Sequence, residues 1–117
     1  MSKNVIVEKS KTFAVRIIRL YQHLSSEKKE FTLSKQVLKS GTSIGANVRE
    51  AHRGQSKKDF IAKMNIALKE AAETEYWLEL LHETDYIDAD SFESIYRDCN
   101  ELNKLLITII KSSNKDL

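Results

Sequence analysis

Apolar positions recur along the chain at helical spacing in four blocks. In the first, about Val5 to Lys28, Ile6, Phe13, Ile17, Leu20 and Leu24 share one stripe, with Ala14 and Tyr21 beside it; this is the periodicity of an amphipathic helix. After a charged turn, Thr32 can cap a second helix over about 33–53, and Gly54 suits the position just past its end. Ser56 followed by Asp59 reads as a capping box for a third helix, about 57–83, whose seam is Phe60, Met64, Ala67, Ala71, Leu78 and Leu81. Asp90 followed by Glu93 repeats the device for a fourth, about 91–112, with Ile95, Cys99, Leu102, Leu106 and Ile109 on its core stripe. Connections this short make neighbours antiparallel, so the pattern predicts an all-α fold: an antiparallel up-down-up-down four-helix bundle filling residues 1–117 as one domain.

The second helix accepts two glycines within "SGTSIGANVREA", Ser40 to Ala51, although each costs roughly 1 kcal/mol relative to alanine in a helix interior. Val37, Gly41, Ile44, Val48 and Ala51 are spaced by alternating steps of four and three residues. Gly41 therefore lies on the buried seam, where its missing side chain lets a neighbouring helix approach, and Gly45 is expected to face the next interface. Ser40, Ser43 and Asn47 line the flank with small polar groups. An unpaired buried polar group costs about 1–3 kcal/mol, so these residues need a partner, and Glu75 beside the third helix's seam is expected to complete a buried polar network with them.

Composition sharpens the class. There are three glycines and no proline, which suits long helices rather than a turn-rich β fold. No run approaches the roughly 18 apolar residues of a membrane span and the N-terminus lacks an apolar signal core, so a cytoplasmic location is expected. The single cysteine, Cys99, excludes an intrachain disulfide, agrees with a reducing compartment and falls on the core stripe as a small hydrophobe.

The net charge of +2 hides an asymmetry. Residues 1–63 carry fourteen Lys and Arg against five Asp and Glu, whereas residues 64–117 carry five against twelve. Either the basic half meets a polyanion, or the two halves neutralise each other across packed helices and subunits. Antiparallel bundles commonly pair oppositely charged faces, which favours the second reading. On the second helix, however, Lys35, Lys39, Thr42, Ala46, Arg49 and Arg53 follow one outer stripe about 27 Å long at 1.5 Å per residue, either a solvated face or a surface for phosphates. Lys57, Lys58 and Lys63 extend the positive field into the third helix, with His52 nearby. Such a tract can neutralise successive phosphates of RNA or DNA, although no aromatic residues interleave it to stack bases. On the third helix, Ala62, Ile66, Trp77 and Leu80, with Tyr76 alongside, form a second apolar stripe opposite the seam. A monomer would leave it in water, so it is expected to be an oligomer interface.

Catalytic and metal chemistry find little support. Glu79 and His82 have the Glu-x-x-His spacing of di-iron bundles, but His23 and His52 do not complete a second such motif. No phosphate-cradling glycine loop, paired acids or Ser/His/Asp set can be assembled. No enzyme activity, cofactor or metal is expected.

"SGTSIGANVREA" and "DFIAKMNIALKEAAETEYWLELL", Asp59 to Leu81, resemble the four-helix-bundle proteins encoded by intervening sequences of bacterial 23S ribosomal RNA genes. The shared features fall on Ser43, Ile44, Asn47, Glu50, Phe60, Glu70, Glu75 and the cluster Tyr76, Trp77, Leu78. The resemblance implies a homo-oligomer, typically a pentameric ring, without established enzymatic activity. A similar bundle serves diversity-generating retroelements as an accessory protein associated with nucleic acid and a reverse transcriptase. Two functions are consistent with the sequence: a non-catalytic oligomer binding RNA or DNA through helix two, or a protein-interaction scaffold without nucleic-acid contact.

Overall fold

The computed structural model describes residues 2–115, with side chains from residue 5 onward. It consists of α1 (Ser2–Ser26), α2 (Leu33–His52), α3 (Lys57–Glu83) and α4 (Ala89–Lys115). Each helix packs against two neighbours in the cyclic order α1, α2, α3, α4, as an up-down-up-down bundle requires. The rod measures 47 × 21 × 19 Å. The apolar stripes converge on one core, in which Ile6, Ile17, Leu24, Val37, Ile44, Met64, Leu78, Leu81 and Leu106 are fully buried.

The glycines of α2 are explained by α1. A Cβ on Gly41 would come within 2.7 and 2.8 Å of the two γ carbons of Ile17, a β-branched and fully buried side chain with little room to move. Gly45 does not turn to the next interface. It too meets α1, where a Cβ would stand 3.3 Å from the backbone oxygen of Ser10. Both glycines thus serve one close crossing, on a stripe that also buries Ser10.

Helix ends depart from the sequence expectations in informative ways. Thr32 adopts helical backbone angles (φ −96°, ψ −61°) and its hydroxyl makes no capping bond; an N-cap needs extended backbone to aim its side chain at the first turn. Glu30 takes over. Its carboxylate accepts from the backbone N–H groups of Thr32, Leu33 and Ser34 at 3.2, 2.9 and 2.7 Å, while the Ser34 hydroxyl donates to the Glu30 carbonyl at 2.7 Å. Burial pushes the Glu30 carboxyl up, but those donors outweigh it and hold the group below its ordinary value. Lys29, in the left-handed region (φ 55°), turns the chain so that Glu30 can do this.

For α3 the expected cap is present, with Ser56 Oγ accepting from Asp59 N–H at 3.1 Å. Gly54 follows the end of α2 without a positive φ; an added Cβ would be 3.2 Å from both the Ala51 oxygen and Asp59 Cβ, so its role is close approach. α4 begins two residues early, capped by Asp88 and not Asp90: Asp88 Oδ1 accepts from Ser91 N–H at 2.7 Å. Between α3 and α4, Asp85 (φ 68°) closes a Schellman turn, with Tyr86 N–H donating to Leu81 O at 2.9 Å and Asp85 N–H to His82 O at 3.1 Å.

The α1–α4 contact is the thinnest of the four and is stitched by charge. Lys9 pairs with Glu101 at 2.6 Å, and Arg16 reaches Asp98 and Ser94, both at 2.7 Å. Part of the charge asymmetry is therefore neutralised within the chain.

Candidate nucleic-acid interface

Along the outer stripe of α2 that neutralisation fails. Lys35, Lys39, Arg49 and Arg53 are all exposed, and among the described residues none of them forms an ion pair. The reason is geometric. The same periodicity that buries Val37, Gly41, Ile44 and Val48 turns these four residues outward, away from the acids of α4. Lys39 still senses α3: burial, then the neighbouring Glu73, raises the Glu70 carboxyl above its ordinary value, and Lys69 and Lys39 act in the opposite direction.

Beyond Gly54, Lys57 and Lys58 are exposed at the start of α3. Lys63 is not available in the same way, since its ammonium pairs with Glu50 at 2.9 Å. In its place the fold supplies Lys11. This α1 residue and Arg49 line a groove of about 250 Å³ between α1 and α2, over a floor that includes Ala14, Gly45 and Ala46. Lys11 is invisible to the periodicity of α2, because its position depends on the register between two helices. The only trace in the sequence is Gly45, whose close approach sets that register.

The expected polar network does not assemble. Ser40 is buried, but its partner is Thr74, which is 0% exposed and whose Oγ1 donates to Ser40 Oγ at 2.8 Å. Ser43 and Asn47 bond within their own helix, to Lys39 O at 2.7 Å and Ser43 O at 2.8 Å. Glu75 faces α4 and accepts from Asn100 at 3.3 Å. One residue along a helix is a rotation of about 100°, which carries position 75 past the α2 interface that position 74 occupies.

The apolar stripe of α3 is partly open. Ile66 and Tyr76 are 40% and 53% exposed, and Ala62 is exposed as well. Leu80 is half-buried, and Trp77, half-buried, packs against the core and edge-on to Tyr76 with centroids 5.2 Å apart. Trp77 and Leu80 therefore sit at the border of the bundle rather than opposite its seam.

The groups with chemical potential are occupied structurally. Cys99 is fully buried and donates to Ala71 O at 3.4 Å; burial, with Glu75 and Asp98 nearby, pushes its thiol up. Glu79 accepts from the Tyr96 hydroxyl at 2.7 Å, His82 stacks on Phe92 at 4.3 Å and His52 contacts Phe60 edge-on at 5.5 Å. Among the described residues no group of three His, Cys, Asp or Glu side chains could hold a metal, and no helix is long and apolar enough to cross a membrane.

Comparison with known proteins agrees with this architecture. The chain superposes with a TM-score of 0.94 on a crystal structure of a protein of unknown function from the S23 ribosomal protein family of Bacteroides thetaiotaomicron, at 63% identity, over 95% of this chain and 99% of that one. No curated protein matches. A family model described as 23S rRNA-intervening sequence protein matches residues 2–108. Fold, helix pattern and this match over most of its length agree, and the chain belongs to the 23S rRNA-intervening sequence protein family.

Proposed function

We propose that the protein is a non-catalytic, homo-oligomeric bundle that holds RNA or DNA by its phosphates along the outer face of α2. The observation that carries this reading is the row Lys35, Lys39, Arg49 and Arg53, exposed and without ion pairs among the described residues, in a molecule that pairs Lys9 and Arg16 of α1 with acids of α4. Lys11 across the α1–α2 groove, with Lys57 and Lys58 beyond Gly54, widens the field. Phosphate contacts position a nucleic acid without specifying its sequence. The family's description names ribosomal RNA intervening sequences, which makes structured ribosomal RNA the first probe.

Assembly is part of the proposal. Ile66 and Tyr76, with Ala62 and the edges of Trp77 and Leu80, offer α3 as the contact between copies, and a ring, such as the pentamer the family resemblance implies, would repeat the α2 stripe around its circumference. The reading that competes is a scaffold in which the α2 cations meet acids of the next subunit. Reversing Lys39, Arg49 and Arg53 to Glu separates the two. Phosphate binding requires loss of affinity for structured RNA and duplex DNA alike with the oligomer intact; a scaffold requires the oligomer to dissociate. Wild-type affinity no better than about 10⁻⁴ M near physiological salt would end the nucleic-acid reading.

A further inference from the structure

A second cleft lies on a different side of the rod from the α2 stripe. It opens between the last turns of α1 and the α3–α4 connection and has a volume of about 720 Å³, within the roughly 300–1,000 Å³ of small-molecule sites. Leu20, Ile87 and Ile95 give it an apolar floor, and Tyr86 adds an aromatic ring. Ile87 and Ile95 are buried, so the floor is fixed by the core. The Schellman turn at Asp85 holds Tyr86 and Ile87 in place through their N–H groups, which donate to Leu81 O.

The charges around this floor differ in how far they are committed. Arg16 is held by Asp98 and Ser94, and Asp88 caps α4 through Ser91. Arg19 and His23 on α1 and Lys28 in the turn that follows it stand exposed along one wall, and neither Arg19 nor Lys28 has an ion pair among the described residues. Asp85, also exposed, faces the cleft from the connection. Two uncommitted cations, a ring, an apolar floor and one carboxylate are the complement of a phosphate monoester with a flat organic body and a hydrogen-bond donor.

We propose that this cleft binds a nucleotide-sized organic phosphate, with the phosphate at Arg19 and Lys28, the ring over Tyr86 and the apolar floor, and Asp85 accepting from a hydroxyl or amino group. The assignment is independent of the α2 stripe. It is tested by calorimetric titration of the intact protein with adenosine and uridine 5′-monophosphates, with adenosine and inorganic phosphate as half-ligand controls. Saturable binding of a nucleotide is expected, about tenfold or more tighter than either half, because cation and floor contacts must both be lost with the halves. Arg19→Glu with Lys28→Glu should abolish it without moving the thermal midpoint of the ligand-free protein, since both side chains are exposed. Lys39→Glu with Arg49→Glu should leave it intact. Absence of saturable binding by either nucleotide at millimolar concentration, equal binding of phosphate alone, persistence in the Arg19/Lys28 variant, or equal loss in the α2 variant overturns the proposal.

Discussion

At the scale of single residues the structure turns on contacts that leave no room. Gly41 is the sharpest case: with a Cβ already within 3 Å of Ile17, Gly41→Leu must separate α1 from α2, and a loss of about 1–3 kcal/mol or more is expected by chemical denaturation. An unchanged midpoint would remove the close-approach explanation. Cys99 gives a complementary readout. Its buried thiol is held above the usual range, so a thiol-specific reagent should react only as fast as the protein opens, and rapid labelling of the native protein would contradict its burial. The seam position of Gly41 was legible because spacing alone fixes a residue's side of a helix. The partner of Ser40 was not: Thr74 and Glu75 differ by one step of rotation, and a hydroxyl fits the buried site where a carboxylate would bring an uncompensated charge.

At the scale of elements, helix bodies were readable and their ends less so. Core stripes follow from periodicity, whereas a cap depends on which backbone conformation precedes the helix. The left-handed Lys29 lets Glu30 displace Thr32, and α4 is capped two residues before the expected aspartate. Removing the carboxylate in Glu30→Ala should cost about 1–2 kcal/mol, the upper range for a lost cap. Because its folded pKa lies below the ordinary 4.5, the contribution is complete above the unfolded value and disappears as pH falls through the folded one. Acid titration should thus show the variant and wild type converging in stability as pH falls below the ordinary carboxylate range, and a constant difference down to lower pH would count against the cap. The groove between α1 and α2 belongs to this scale as well. Lys11→Glu, a change on α1, should weaken nucleic-acid binding in the same sense as Arg49→Glu, because the two cations line one groove; no effect would confine the interface to α2.

For the whole molecule, charge separation and apolar exposure divide the surface into faces. The basic and acidic halves of the sequence were legible, but where they cancel was not. Lys9, Arg16 and Lys63 are paired, and the α2 row stays open only because three-dimensional register carries acids elsewhere. Assembly is best probed at Ile66 and Tyr76, whose exposure spares the core that Trp77 supports. Ile66→Lys with Tyr76→Ser should lower the mass seen by light scattering while helicity persists, and an unchanged mass would move the interface off α3. The central claim, that α2 meets phosphates, is tested most directly by the salt dependence of binding. Plotted as log affinity against log salt for a DNA duplex, the wild type should give a steep negative slope, and Lys39→Gln, Arg49→Gln, Arg53→Gln should reduce its magnitude by up to about 3, close to 0.9 for each phosphate no longer neutralised. An equal slope in both proteins would contradict it.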